Sequence, residues 1–320
     1  MRKHYRMTTQ SPDSSYHAPA LTAEVMLGLM LRPGDHSIDA TLGDGGHALS
    51  ILEATAPAGR LLAIDADGQA LQRAQKRLLS FANRALLVNG NFKDLTKIAV
   101  ENQHQCVAGI LFDLGLSSWQ LTGSGRGFSF TEDAPLDMRL GVSQVKTAAD
   151  VVNLYGLEEL VNVIQNYGEE PRARRIAQAI VWRRPIRTSA QLAQIVGGAA
   201  SGNGKRKKTH PATRTFQAIR IAVNEDLGHL ETALEQSLEV VRKSGRVVVI
   251  SYHSLEDRIV KTFMRRESKN CICLPNIPEC TCGHQARVKL ITKKVVKPTA
   301  VEVRENPRIR SAKLRVCEVI

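Results

Sequence analysis

The chain has 320 residues, with 44 Lys and Arg against 31 Asp and Glu, for a formal net charge of +13 at pH 7. That length holds one large domain or two modest ones, and no apolar run approaches the roughly 20 residues of a membrane-spanning helix. The basic surplus suits a polyanionic partner, most often nucleic acid, and aromatics at 4% favour backbone and shape recognition over a stacking platform.

Residues 1–16 are polar, with no apolar core for a secretory signal and no clear amphipathic transit pattern, and are expected to form a disordered tail. Leu21, Val25 and Leu29 share a helical spacing that stops at Pro33-Gly34. The run Asp39-Ala-Thr-Leu-Gly43-Asp-Gly45-Gly46-His47 follows, with an apolar strand before it and a helical segment (Ala48, Leu49, Ile51, Leu52) after it. Glycines there let a ligand approach the backbone, and the helix end offers unpaired N–H groups. The next strand, Arg60–Asp65, ends in a carboxylate about 20 residues on, where doubly wound folds meet ribose hydroxyls. The dinucleotide fingerprint G-x-G-x-x-G is absent. Asp44 among the glycines would repel a pyrophosphate but suits a ligand carrying an ammonium and a sulfonium, such as S-adenosylmethionine.

A helical period covers 69–81, and a third strand is expected over 85–92, ending at Phe92. Residues 106–115 are almost continuously apolar, as in a strand buried on both faces, and also reach an acid, Asp113. Cys106 and Cys317 fall in such runs and read as core residues. Strands ending in polar residues predict an open, mostly parallel α/β sheet with its ligand at the carboxyl ends.

After Ser118 the pattern changes. Residues 122–135 are rich in Gly, Ser and charge, and from Ala149 to about Gly197 the spacing is helical, with Glu169-Glu170-Pro171 expected in the first turn of an arginine-rich helix. A loop with Lys205-Arg-Lys-Lys208 precedes a helix carrying Phe216, Ile219, Ala222 and Val223. Strands return over 245–254, 288–297 and 313–320. The organisation expected is a tail over 1–16, a sheet domain over 17–121 and 217–320, and an all-helical insertion over 122–216. Arg172, Arg174, Arg175, Arg183, Arg184 and the 205–208 run are its candidate phosphate contacts. The cluster Cys271-x-Cys273…Cys280-x-Cys282 with His284 has zinc-ligand chemistry, but C-x-C is tighter than the usual spacing, and no metal is assigned. A reduced, cytoplasmic protein is expected rather than a disulfide framework.

Several long motifs then occur in one order: Asp113-Leu-Gly-Leu-Ser-Ser-Trp-Gln120, Arg126-Gly-Phe-Ser-Phe, Pro135-Leu-Asp-Met-Arg139, Glu169-Glu-Pro-Arg-Ala-Arg, His210-Pro-Ala-Thr-Arg-Thr-Phe-Gln-Ala, Ser251-Tyr-His-Ser-Leu-Glu-Asp-Arg258 and Asn306-Pro-Arg-Ile-Arg-Ser-Ala-Lys313. From about His17 onward the chain resembles the bacterial 16S ribosomal RNA cytosine-N4 methyltransferases of the MraW/RsmH type. It departs at Tyr252, where phenylalanine is usual, and at Trp119, where a smaller residue or proline is common. The resemblance implies a class I methyltransferase (Rossmann-like) sheet, S-adenosylmethionine as cofactor, and a helical insertion that helps hold RNA. It also implies a target, the N4 amine of a cytidine near the decoding centre of the small ribosomal subunit. Carried onto this sequence, the cofactor positions are Gly45, Gly46, His47, Asp65, Phe92, Asp113 and Gln120.

The residues agree with transfer to nitrogen or oxygen. Methylation at cytosine carbon-5 needs a thiolate attack on the ring, and no cysteine lies near the loop after the fourth strand. Asp113, shared with the cofactor, is the candidate catalytic residue, with the Leu114–Ser118 loop as a source of acceptors for an amine. His253 is a candidate proton acceptor or phosphate contact, Asp257 and Arg258 an ion pair on a helix start, and Phe128 and Phe130 either base-stacking residues or anchors of the insertion. An RNA assembly factor on the same fold, binding a nucleotide without turnover, is the alternative. Homodimerisation is left open.

Overall fold

The computed structural model describes residues 19–141, 144–200, 210–274 and 279–320. The tail over 1–16 and the Lys205–Lys208 run lie outside these. The sheet is built from β1 (Ser37–Asp39), β2 (Leu61–Asp65), β3 (Ala85–Asn89), β4 (Val107–Asp113), β5 (Val241–Ser251), β6 (Val288–Leu290) and β7 (Lys313–Val319). Their order is β3-β2-β1-β4-β5-β7-β6, parallel through β5, with β7 antiparallel to both neighbours. This is the Rossmann-like class I methyltransferase arrangement. The helices before the helical lobe are α1 (Thr22–Leu29), α2 (Gly46–Ala54), α3 (Gly68–Arg77), α4 (Leu95–Glu101) and α5 (Ser118–Thr122). The lobe holds α6 (Ala148–Leu154), α7 (Leu157–Gly168), α8 (Ala173–Trp182), α9 (Ser189–Ala200) and α10 (Ala212–Asn224). Then come α11 (Asp226–Val240), α12 (Ser254–Glu267) and α13 (Ala300–Glu305).

The apolar runs of the strands follow from burial on both faces. Ile38, Ile64, Ile110, Phe112, Val247 and Val249 pack on one face against α4, α11 and α12. The alternate residues Leu61, Ala63, Leu111, Val248 and Ile250 pack on the other against α1, α2 and α3. A third apolar core, from Phe128 to Val223, belongs to the lobe. The expected boundary at 216/217 falls inside α10, whose buried residues run from Ala212 to Asn224.

Four local expectations are corrected. β3 ends at Asn89, and Phe92 instead opens a short 3₁₀ turn capped by Asn91. Glu169 closes α7 in the left-handed region (φ 47°), so Glu169-Glu-Pro precedes α8 rather than forming its first turn. Cys106 is exposed with φ +56°, because the chain turns there before entering β4; Cys317 is buried as expected. Asp257 pairs not with Arg258 but with Lys313 (3.1 Å) and Arg315 (2.7 Å) on β7, while Arg258 reaches Glu169 (2.8 Å).

Candidate active site

The chain leaves β1 toward β2 and β3 on one side and returns through β4 and β5 on the other. The crevice outside the carboxyl ends of β1 and β4 is therefore the switch point at which such sheets bind ligands. A cleft of about 380 Å³ opens there. Of the residues expected to bind a cofactor, Gly46, His47, Asp65, Phe92, Asp113 and Gln120 line it. Gly45 does not line it: its φ is +76°, and a Cβ there would meet Ala74 of α3 at 3.3 Å, so it serves the turn and the helix packing. At Gly46 a Cβ would press on the Pro19 ring at 3.0 Å.

Carboxylates gather at the strand ends, on and beneath the cleft surface. Asp65 accepts the N–H groups of Gly43 and Asp67, both at 2.8 Å, which locks the glycine turn to the end of β2. Burial pushes its carboxyl up to about 6 against the pull of those two N–H groups. Asp39, at the end of β1, is 1% exposed and takes the Thr41 N–H at 3.1 Å. Burial lifts it to about 7, opposed by His47 and reinforced by Asp113 and Asp65. Asp44, expected to suit a positively charged ligand, lines the cleft and is also engaged by Arg73 of α3, whose Nε donates at 3.0 Å. Asp65 and Asp113 line the cleft at the ends of β2 and β4, while Asp39 is buried at the end of β1 and does not line it.

Asp113 receives the Tyr252 hydroxyl on Oδ1 at 2.9 Å, while His47 Nε2 lies 3.4 Å from Oδ2. Tyr252 is held well above its ordinary range by burial and by Asp113, so it donates and stays neutral. At the second departure from the family, Trp119 lies under the Arg73 guanidinium, which sits 4.8 Å from its ring centroid. The buried His47 ring has no hydrogen-bond partner at either nitrogen. Leaving a buried polar group so costs about 1–3 kcal/mol, a cost that polar atoms of a ligand would offset.

Gln120 lines the cleft and also braces its neighbours. It completes a capping box with Ser117 at the start of α5, and its Nε2 donates to Asp67 at 3.1 Å. Asp67 also takes the Gln69 N–H and Arg126 Nη2, so the β2 and β4 loops and the lobe entrance meet at one buried carboxylate.

The opposite wall was not legible from local motifs. Arg220, Asn224, Asp226 and Glu256 line it. Arg220 Nε lies 3.5 Å from Asp226 and its Nη2 3.8 Å from Glu256. Burial raises Asp226 to about 6, whereas Glu256 is held below its ordinary value by His253 and Arg220 despite burial. His253 does not line the cleft: it caps α12, its Nδ1 accepting the Glu256 N–H, and its Nε2 sits 2.8 Å from Glu256 Oε1. It positions Glu256. Phe128 is buried in the lobe, and Phe130 stacks on His210 at 4.3 Å and packs edge-on against Phe216, so both anchor the lobe.

The arginines of α8 and its flanks divide into two sets. Arg172 bonds the Ala200 carbonyl, Arg174 pairs with Glu158, and Arg184 ties down the Val152 and Tyr155 carbonyls. Arg175 and Arg183 are exposed, as is Trp182 at 89%.

A cation fits this site. Three carboxylates end adjacent parallel strands, and the two on β1 and β2 are raised toward neutrality, a strain that a positive ligand would relieve. S-adenosylmethionine carries that charge on sulfur and nitrogen. Comparison with known proteins agrees. The MraW methylase family matches residues 14–320. A Dehalococcoides mccartyi protein named ribosomal RNA small subunit methyltransferase H is 51% identical over 304 residues, covering 95% of this chain and 86% of the relative. A protein of the same name from Thermomicrobium roseum is 48% identical, covering 100% and 98%. A solved rRNA methylase structure from Streptococcus thermophilus covers 95% of this chain and 98% of its own, at 11% identity and a TM-score of 0.41, a likeness too distant to add to the sheet order above. On the extent of the family match and these identities, the chain belongs to the MraW methylase family.

Proposed function

We propose that this chain transfers the methyl group of S-adenosylmethionine to the exocyclic N4 amine of a cytidine in 16S ribosomal RNA, near the decoding centre. The observation that carries the reading is the setting of Asp113. It ends β4 at the switch point, beside acids suited to a cationic donor, and a tyrosine hydroxyl fixes one of its oxygens. The names of the relatives support an rRNA substrate, and the motifs from Asp113 to Lys313 support cytosine N4.

The cofactor, when bound, supplies an electrophilic methyl on a sulfonium, and the protein supplies alignment and electrostatics. Asp65 holds the glycine turn and offers its carboxylate to the ribose hydroxyls. Phe92, edge-on to Phe112 at 6.1 Å between centroids, gives an apolar wall for an adenine. His47 presents Nδ1, which has no hydrogen-bond partner, to polar ligand atoms, while Nε2 faces Asp113. Asp113 accepts an N–H of the target amine, which draws lone-pair density back from the ring onto nitrogen. The Tyr252 hydroxyl keeps Asp113 in that orientation. Asp226, raised to about 6, lines the same cleft and can take the proton that the amine sheds. No cysteine lines the cleft among the described residues, which disfavours attack on ring carbon. The target base must leave its stack to enter. The lobe provides cations for the flanking phosphates, with Arg175 and Arg183 exposed beside Trp182 on and just after α8.

The test is incubation with methyl-labelled S-adenosylmethionine and either small subunits or their free rRNA. Label in the rRNA supports the proposal. Tight binding of both partners without incorporation favours the assembly-factor alternative.

A further inference from the structure

We propose that Cys271, Cys273, Cys280 and Cys282 form a tetrathiolate site for one zinc ion, closing the loop between α12 and β6. Their residue types have zinc-ligand chemistry, but C-x-C spacing is tighter than usual, and the sequence assigns no metal. The fold nevertheless brings all four sulfurs within 4.8 Å of one another. Cys280 and Cys282 sulfurs are 3.6 Å apart, and those of Cys282 and Cys271 3.9 Å. A tetrahedron with zinc–sulfur bonds of about 2.3 Å has sulfur–sulfur edges of about 3.8 Å. These two separations bracket that edge and are far beyond the roughly 2.05 Å of a disulfide; the others lie within 4.8 Å, and all four cysteines are free thiols.

The surroundings favour coordination over packing. Cys271, Cys280 and Cys282 are exposed and Cys273 half-buried, so no apolar core accounts for four thiols converging here. The backbone N–H groups of Ile272 and Cys273 point at Cys282 and Cys271 sulfurs, each at 3.4 Å, and such donors stabilise thiolates. Soft sulfur ligands in a closed set of four select zinc and leave no open position, so the site is structural rather than catalytic. Binding releases thiol protons and needs no redox partner.

His284 is engaged elsewhere, with Nε2 3.2 Å from the Arg266 carbonyl. Ala286 N–H donates to Asn270 and Arg287 N–H to the Glu267 carbonyl, which fasten the far side of the loop to the end of α12. The zinc knuckle would therefore be fixed to the helix whose first turn carries Glu256 into the cleft.

The full chain, purified in reductant without chelator, should contain about one zinc per chain by elemental analysis. Cobalt(II) exchanged into it should show thiolate charge-transfer bands and the intense visible bands of a tetrahedral site. The C271S/C282S double variant should hold under about a tenth as much zinc, while C106S, away from the cluster, should match the parent. Absence of zinc from the parent, with a featureless cobalt titration of the same chain, would overturn the proposal whether or not the double variant folds. So would disulfides among the four cysteines, or another metal or a cluster in place of zinc.

Discussion

Replacing Asp39 with Asn tests the electrostatics of the site. Asp39 is 1% exposed, and its carboxyl is pushed from 3.8 up to about 7. The folded chain therefore keeps a proton that the unfolded chain has released between about pH 4 and pH 7. Stability falls as pH rises through that window and levels off above it. A gap of about 3 units at 1.36 kcal/mol each is worth about 4 kcal/mol as an upper bound. Asn preserves the acceptor for the Thr41 N–H and cannot titrate. D39N should match the parent near pH 4 in denaturant unfolding and exceed it at pH 8 by up to about 4 kcal/mol. The same change should weaken S-adenosylmethionine binding at pH 8. At an effective dielectric near 20, loss of one nearby charge costs on the order of 1–2 kcal/mol, about tenfold in affinity. Calorimetric titration at pH 6 and pH 8 measures it, and the parent should release protons on binding where D39N releases fewer. Parallel unfolding profiles from pH 5 to pH 8, with equal cofactor affinities, would refute the reasoning.

Three further outcomes follow from the same geometry. D113N should lower the single-turnover rate by about 10²–10⁴, while Y252F, which removes only the 2.9 Å hydroxyl contact, should cost about tenfold or less with cofactor affinity little changed. R126A should destabilise the fold by about 3–5 kcal/mol in denaturant titration, since it strips the ion-pair partner from the buried Asp67 carboxylate; a loss under about 1 kcal/mol would deny that pair its role. R175A/R183A should weaken rRNA binding and flatten its log–log salt dependence by about 1.4–1.8, while cofactor affinity is unchanged; an unaltered slope would remove these arginines from the phosphate contacts.

The sheet was legible because burial on both faces of a parallel strand writes continuous apolar runs. The run from Val107 to Phe112 is one of them, with six consecutive buried residues before Asp113. Asp65 was legible because its distance from the glycine turn is set by one strand–helix–strand unit. The short α4 between β3 and β4 was missed because its seven residues barely complete two turns. Cys106 misled because a residue next to a buried strand can belong to the turn that precedes it. Asp39 stood in the opening motif, yet its raised proton affinity depends on burial and on two other strand-end carboxylates, Asp113 and Asp65. The far wall of the cleft was out of reach for a related reason. Arg220 and Asn224 close the lobe's last helix, Asp226 opens α11 and Glu256 lies in α12, and no local spacing joins them. The Tyr252 hydroxyl reaches Asp113 across 139 positions of sequence, so its place at the centre of the site shows only in the fold.

The central claim is the identity of the atom that receives the methyl group. Small-subunit rRNA should be treated with the purified chain and labelled cofactor, digested to nucleosides and resolved by mass spectrometry. The account predicts label in N4-methylcytidine, accumulating about 10²–10⁴-fold more slowly with D113N. Label in 5-methylcytidine or on a ribose, or rRNA left unlabelled by a chain that binds the cofactor, would contradict it.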